Sequence, residues 1–352
     1  EADGEAVTMR LLITGGAGFI GSNFVRSVLG PGLPGLGDVS QVVVLDALTY
    51  AGDRENLAPV ADDPRLAFVQ GDIRDAELVD ALVADCDAIV HLAAESHVDR
   101  SIADSRDFVS TNVVGTQTLL DAALRHRPRR FLHVSTDEVY GSVGAGASTE
   151  SDRLDPSSPY AASKAASDLV ALSYARTYGL DVVVTRGSNT YGPYQHPEKL
   201  VPLVITTLLD DGLVPLYGDG LHVRDWLHVD DHCRGLALAL AHGRPGEVYN
   251  IGGGAELTNR ELVDRLVELT GADPRRVVRV DDRPGHDRRY AMDTTRMRTE
   301  TGWAPETSLA PALADVVQWY ADHRDWWEAA RARALGAAQD APGGAPGPAR
   351  AE

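Results

Sequence analysis

Arg10-Leu11-Leu12-Ile13-Thr14-Gly15-Gly16-Ala17-Gly18-Phe19-Ile20-Gly21 is the stretch that decides the fold. Its first half is a short apolar run of the kind that makes a buried strand. Its second half sets glycines where that strand turns into a helix. Glycine permits a tight turn and a close backbone approach, and the N-terminus of the helix faces a pyrophosphate. Gly15, Gly18, Phe19, Ile20 and Gly21 are therefore expected to line a dinucleotide. Asp46 closes the next apolar run, Gln41 to Leu45. A carboxylate there accepts hydrogen bonds from the adenosine ribose hydroxyls and repels a ribose phosphate, which favours NAD over NADP. A glycine turn that serves packing alone is the competing reading, and the placement of Asp46 argues against it.

Further apolar runs follow at Ala67 to Gln70, Ala88 to Leu92, Arg130 to Ser135 and Asp181 to Arg186. Most lack strict alternation, as strands do in a parallel sheet covered on both faces. Helical patterns near 18–28, 75–84, 107–125 and 160–178 separate them. The order predicts a doubly wound parallel Rossmann-type α/β sheet over residues 9–187. Beyond residue 187 the pattern loosens, with helices expected at 198–211, 230–242, 258–270 and 309–328. Short strands are expected near 214–217, 223–227, 248–251 and 277–280, and Thr258 with Glu261 fits a capping box. Residues 188–330 thus read as a smaller, interleaved C-terminal substrate lobe. Residues 1–8 read as a disordered leader, with Met9 an alternative start. The Ala-, Pro- and Gly-rich stretch 336–352 reads as a disordered tail.

A chain of 352 residues is long enough for two lobes sharing a core. Its formal charge of -19 argues against nucleic-acid and anionic-membrane partners. A phosphorylated ligand remains compatible, because a few arginines and helix N-termini can hold a diphosphate. Cys86 and Cys233 stand far apart and suggest neither a disulfide framework nor a metal site. The acidic Glu1-Ala2-Asp3-Gly4-Glu5 is unlike a signal peptide, and no apolar run is long enough for a membrane span. A cytoplasmic location is expected.

Tyr160 and Lys164 stand one helical turn apart, which puts a phenol and an ammonium on one helix face. The positive charge is expected to favour the phenolate and lower the tyrosine pKa, giving a base usable near neutrality. Thr136 offers a hydroxyl that orients an alcohol undergoing oxidation. Asp137 and Glu138 exceed what oxidation requires, and an acid and a base beside an oxidation site point to elimination of water afterwards. Adjacent residues of a regular strand face opposite ways, so both reach one substrate only if the strand has ended by Asp137. The competing reading has the pair cap a turn. Of 33 basic residues only Lys164 and Lys199 are lysines. A forked guanidinium cannot replace a compact ammonium at a tight site, and survival of two lysines by chance is the competing reading.

Asp72-Ile73, after the third strand, is placed to meet an adenine ring, with a turn or helix-capping aspartate as the alternative. Leu92-Ala93-Ala94-Glu95-Ser96 leaves the fourth strand with small residues that let a dinucleotide pass. Together with His91-Leu92-Ala93-Ala94-Glu95-Ser96-His97-Val98-Asp99-Arg100-Ser101, Ser135-Thr136-Asp137-Glu138-Val139-Tyr140-Gly141 and Ser158-Pro159-Tyr160-Ala161-Ala162-Ser163-Lys164, these motifs carry a family resemblance. Tyr191-Gly192-Pro193-Tyr194, Pro197-Glu198-Lys199-Leu200, Arg224-Asp225-Trp226 and Arg283-Pro284-Gly285-His286-Asp287 add to it. The chain resembles the extended short-chain dehydrogenase/reductases that act on nucleotide sugars, and more closely the dTDP-glucose 4,6-dehydratases, over about residues 9–328.

The resemblance implies that Tyr160 deprotonates the glucose 4-hydroxyl of dTDP-glucose while the C4 hydride moves to NAD. Glu138 then removes the C5 proton, and Asp137, held protonated, donates to the departing C6 hydroxyl. Return of the hydride to C6 gives a 4-keto-6-deoxy sugar. Cofactor contacts implied beside the glycine turn and Asp46 are Ala47, Leu48, Thr49, Asp72, Ile73, Leu92, Ala93, Ala94, Ser96, Thr111, Tyr160, Lys164 and Thr190. Substrate contacts implied are Ser96, Thr136, Asp137, Glu138, Asn189, Lys199, Leu200, Pro215, Tyr217, Arg224, Asn259, Arg283 and His286. A homodimer through a four-helix bundle is also implied, built on the helices near 107–125 and 160–178, where Ala161, Ala165 and Ala166 allow close approach. One departure stands out: the family has Ser-Asn-Asn-Tyr-Gly-Pro where this chain has Ser188-Asn189-Thr190-Tyr191-Gly192-Pro193. That second asparagine is expected beside the nicotinamide, and a threonine offers one hydroxyl in place of the two ends of an amide.

Several rival readings remain open. A nucleotide-sugar 4-epimerase needs Thr136, Tyr160 and Lys164 but has no use for Asp137 and Glu138. A UDP-glucose 4,6-dehydratase uses the same catalytic residues, and thymine differs from uracil by a single methyl. A non-catalytic NAD-binding regulatory protein is expected to have lost the tyrosine, the lysine or an acid. His228, Asp230, Asp231 and His232 invite a metal reading, but the segment reads better as a helix start with an aspartate N-cap, and no metal is expected.

Overall fold

The structure, a computed structural model, describes residues 8–339. Residues 1–7 of the expected leader and 340–352 of the expected tail lie outside the described residues. In chain order the strands are β1 (Met9–Thr14), β2 (Val39–Asp46), β3 (Leu66–Gln70), β4 (Ala88–His91), β5 (Arg130–Thr136) and β6 (Val182–Gly187). There follow β7 (Asn189–Tyr191), β8 (Val214–Tyr217), β9 (Val223–His228), β10 (Val248–Ile251), β11 (Glu256–Thr258) and β12 (Val277–Val280). The helices of the first half are α1 (Phe19–Leu29), α2 (Ala76–Ala84), α3 (Val98–Ala103), α4 (Arg106–Val109), α5 (Thr116–His126) and α6 (Pro159–Tyr178). Those of the second half are α7 (Leu200–Leu209), α8 (Val229–His242), α9 (Asn259–Thr270), α10 (Thr295–Thr301), α11 (Leu309–Asp322) and α12 (Arg324–Gln339).

A seven-stranded sheet in the order β10-β6-β5-β4-β1-β2-β3 forms the centre, every pairing in it parallel. Alternate residues of β1 show why its strands are apolar throughout. Leu11 and Ile13 enter one core with Phe24 of α1 and Leu236 of α8. Leu12 enters the opposite core with Val79 of α2, Leu119 of α5 and Leu172 of α6. A third core lies among α7, α9 and α11 in the second half, closed by Trp327. The helix ends follow their sequence signals. Asp75 accepts from the Glu77 and Leu78 amides at the start of α2, Ser158 caps α6 ahead of Pro159, and Thr258 with Glu261 forms a complete capping box.

The structure revises the sequence reading in several places. The interleaving expected of residues 188–330 takes a definite form: β10 extends the central sheet beside β6, and α8 covers that sheet. All four residues of β10 are buried, which suits a sheet position rather than a lobe surface. The single helix expected over 107–125 is α4 and α5 joined by a π-helical stretch, Ser110–Gly115. The helix expected over 309–328 is interrupted at His323, and its continuation α12 runs to Gln339, past the Gly336 at which a tail was expected. Alanine is frequent there, and it is the strongest helix former.

Candidate active site

One cavity of about 470 Å³ runs along the carboxyl ends of the central strands, where ligands lie in open α/β sheets. At one end it is walled by backbone. Gly15 has φ of +71°, and a Cβ there would fall 2.6 Å from the Ala93 amide nitrogen. A Cβ on Gly21 would fall 2.2 Å from the Gly15 carbonyl oxygen. Helix α1 starts at Gly18 with no side-chain cap and no acidic residue in its first turn, so its N–H groups are left to an anionic ligand. The Asp46 carboxylate is fixed by amides of Ala17 at 2.9 Å and Leu48 at 2.8 Å. Each oxygen keeps a lone pair for a ribose hydroxyl. This end fits NAD: a glycine cradle, a free helix N-terminus and a ribose-facing carboxylate.

Of the cofactor residues expected from the sequence, Gly15, Gly18, Phe19, Ile20, Gly21, Asp46, Ala47, Thr49, Asp72, Ile73, Leu92, Ala93, Ala94, Ser96, Thr111, Tyr160, Lys164 and Thr190 line this cavity. Leu48 does not; it lines a small neighbouring pocket with Arg54 and Arg333. The Asp72 carboxylate accepts from the Arg74 amide at 2.8 Å and from its guanidinium at 2.5 Å, so the turn role is realised.

The reacting end lies across β5 and β6. Strand β5 stops at Thr136, and Asp137–Tyr140 form a 3-10 turn, so the condition for both carboxylates to reach one ligand is met. The turn reading also holds in part, because Thr136 caps it by accepting the Glu138 amide at 3.3 Å. Asp137 is 3% exposed, whereas Glu138 is only partly buried. Burial pushes the Asp137 carboxyl well up, and the charges of Glu138 and Asp225 push the same way. Burial also raises Glu138, but Arg224, Arg283 and Lys199 pull it back. The two acids therefore differ in the way an acid and a base should: one held protonated, the other kept ionisable by three cations.

Tyr160 departs from expectation. Burial pushes its phenol well above the ordinary value, and the charges of Glu138 and Asp137 add to this, with Thr136 opposing. The expected lowering by Lys164 is not seen, because the ammonium is turned to the Val134 carbonyl at 2.8 Å. Lys164 is itself pushed down to about 8 by burial, with Asp168 one turn further along α6 acting against this.

Ser96, Asn189 and Lys199 share the cavity with the catalytic candidates, and Lys199 donates to the Ser96 carbonyl at 2.9 Å. The structure does not bring Leu200, Pro215, Tyr217, Arg224, Asn259, Arg283 and His286 to the cavity wall. They belong to the adjoining second half. Arg224 is buried against the Tyr290 ring, and Arg283 reaches Asp99 at 3.3 Å. His286 bonds Asp282 at 2.6 Å and stacks on His222. Buried polar atoms without a partner among the described residues include Asp137 Oδ2, Asn189 Oδ1 and Asn259 Oδ1. Such atoms are uncommon in folded proteins, and three expected substrate contacts carry them.

Sequence reasoning missed Tyr50, which lines the cavity beside Ser96 and adds to the upward push on Tyr160. Nothing in its spacing marks it. It also misplaced a helix cap: His228, not an aspartate, caps α8 by accepting the Asp230 amide. His232 meets Thr190 at 2.8 Å.

Comparison with known proteins finds relatives over nearly the whole chain. The family described as GDP-mannose 4,6 dehydratase matches residues 12–316. The chain is 58% identical over 320 residues to a dTDP-glucose 4,6-dehydratase of Streptomyces niveus, covering 91% of this chain and 95% of that one. It is 59% identical to another from Streptomyces griseus, covering 92% and 97%. The crystal structure of a dTDP-glucose 4,6-dehydratase from Streptomyces venezuelae, with NAD and TYD bound, superposes with a TM-score of 0.90 at 60% identity. That superposition covers 92% of this chain and all of the other.

Proposed function

This chain belongs to the dTDP-glucose 4,6-dehydratase family, and from that premise we infer that it is an NAD-dependent hydro-lyase converting dTDP-glucose to dTDP-4-keto-6-deoxyglucose. The observation that carries the reading is the unequal pair Asp137 and Glu138 on the turn after β5, at the same cavity end as Tyr160. An epimerase has no task for such a pair.

The residues divide the work as follows. Tyr160, with Thr136 beside it, takes the proton of the sugar 4-hydroxyl. Bound NAD, held by the glycine turn and Asp46, would supply a reversible hydride acceptor beside Tyr160 and Lys164. A ketone at C4 acidifies the C5 proton, which Glu138 removes. Asp137, protonated through burial, delivers its proton to the departing C6 hydroxyl, so water leaves and the carboxylic acid becomes a carboxylate; as hydride returns to C6, Glu138 returns a proton, exchanged with solvent, to C5. Arg224, Arg283 and Lys199 provide the positive charge for the diphosphate that the acidic chain otherwise lacks. The glycine-turn lobe holds NAD, and the second half holds the nucleotide.

A homodimer extends this reading. Val109, the last residue of α4, and Val114, within the π-helical stretch, are 50% and 49% exposed, and Leu169 on α6 is 58% exposed. Ala161 and Ala165 are buried within the subunit, so of the alanines expected at a contact only Ala166 remains near the surface. Leu169→Arg is expected to yield monomers by sedimentation. Both cysteines are free thiols, which accords with a reducing cytoplasm. Among the described residues no helix is long and apolar enough to cross a membrane.

Mass spectrometry of the protein incubated with dTDP-glucose in heavy water, with UDP-glucose in parallel, tests the function. Loss of one water with deuterium entering the sugar is the expected result, faster with dTDP-glucose. Retention of mass with inversion at C4 would replace the dehydratase reading with an epimerase.

A further inference from the structure

Thr190 stands where the family carries an amide, and its hydroxyl does not work alone. Its oxygen lies 2.8 Å from Nδ1 of His232, on α8, and donates to the Ser188 carbonyl at 3.1 Å. With the hydroxyl proton committed to Ser188, the oxygen accepts from Nδ1–H, and Nε2 keeps a free lone pair. Nε2 is buried and has no partner among the described residues. The ring edge that carries it lies against Gly187, where a Cβ would come within 2.7 Å of Nε2. Gly187 is opposite Thr136 in the β5–β6 register, which puts His232 at the reacting end of the cavity that both residues line.

We propose that His232 holds the nicotinamide end of bound NAD through Nε2, with Thr190 fixing the orientation of its ring. The inference rests on the NAD-dependent reading above. An acceptor at Nε2 suits the amide –NH₂ of the nicotinamide carboxamide. Burial pushes His232 down to about 4, so the ring is neutral at physiological pH and brings no like charge to a cationic nicotinamide. Gly187 is the residue whose lack of a side chain makes room for that ring edge, since a Cβ there would overlap it.

The test compares binding of NAD and of ADP-ribose, which lacks the nicotinamide, to protein stripped of cofactor, by calorimetric titration. His232→Asn keeps an amide within reach of Thr190 but removes the Nε2 position. It is expected to weaken NAD about tenfold, the worth of one hydrogen bond, and to leave ADP-ribose within about twofold. The amount of NAD that copurifies should fall with it, and His232→Gln, whose amide extends toward Nε2, should recover part of the loss. Equal weakening of both ligands, or of neither, overturns the proposal. Should His232→Asn fail to fold, Thr190→Val, which frees the ring without changing its volume much, must weaken NAD selectively or the proposal falls. Wild-type protein that binds neither ligand overturns the NAD reading itself, whereas NAD binding that is indifferent to both substitutions overturns only the role of His232.

Discussion

The two ends of the cavity are built on different principles. The cofactor end is made of backbone: Gly15 and Gly21 where a Cβ has no room, the uncapped start of α1, and one carboxylate locked by two amides. The reacting end is made of side chains that the protein alone leaves unsatisfied, among them Asp137 Oδ2 and Asn189 Oδ1, with cations arrayed around Glu138. The first is a mould of backbone, with no room for a side chain at Gly15 or Gly21. In the second, each buried unpaired group costs about 1–3 kcal/mol until a ligand satisfies it. Substitutions should therefore act all-or-none at the cofactor end and by graded, protonation-dependent amounts at the reacting end.

The largest effect expected is at the mould. Gly15→Val places a branched side chain at a positive φ and against the Ala93 backbone, where nothing can give way. Protein purified with this substitution should carry no NAD and show no turnover, while far-UV circular dichroism reports an intact fold. Retention of NAD by this variant would mean that the glycine cradle is not the cofactor site.

At the reacting end the loss should be large but selective. Glu138→Gln and Asp137→Asn are each expected to lower turnover by about 10²–10⁴, the usual worth of a general acid or base. NAD content should be unchanged in both. Oxidation at C4 needs neither residue, so incubation with dTDP-glucose should accumulate reduced cofactor, read by its near-ultraviolet absorbance, in place of product. Loss of that signal would mean that the carboxylates also serve the oxidation.

These two ends also differ in how well sequence announces them. Glycine spacing and Asp46 report backbone constraints, which depend on local chain geometry and so are written locally; all but Leu48 of the expected cofactor residues line the cavity. The strands and most helices were legible for the same reason, since period and caps are local. The protonation state of Tyr160 was not, because it depends on burial and on carboxylates brought close only by folding. Tyr50 and the Thr190–His232 contact were equally illegible, each joining segments that sequence spacing does not relate. The π-helical stretch within the expected 107–125 helix adds a residue to a turn without changing the apolar pattern enough to announce it.

A smaller effect separates the catalytic role of Asp137 from its cost to the fold. Its carboxyl is raised in the folded state, so the fold holds a proton there that the unfolded chain releases. Stability from this group is fully present below the unfolded value near 3.8 and is lost as pH rises through the folded value. Asp137→Asn removes that dependence. The variant should match wild type in thermal unfolding near pH 4 and exceed it at pH 8 by about 2 kcal/mol, the scale of an unpaired buried polar group. Equal melting temperatures at both pH values would place the carboxylate in a better-solvated site than the structure shows.

The smallest effect concerns the cations, and it joins the two halves of the molecule. Arg283 lies outside the cavity wall, yet its charge is among those holding Glu138 down. Removing it as Arg283→Gln must raise the Glu138 pKa, so the acid limb of turnover, which requires Glu138 ionised, moves to higher pH. The guanidinium is 20% exposed and already engaged with Asp99, which limits its reach. The shift should be about half a pH unit and shrink further with added salt. A second consequence has a different signature: if the same arginine holds the diphosphate, KM rises at every pH, while the shifted limb appears in kcat/KM, which reports Glu138 in the free enzyme. A KM change without a shifted limb would make Arg283 a phosphate ligand with no hold on the base. A shifted limb without a KM change would make it an electrostatic guard of Glu138 alone. Both together would mean that occupancy of the diphosphate site sets the basicity of Glu138, since a bound diphosphate offsets the very charges that keep the base ionised and so strengthens it when substrate is present.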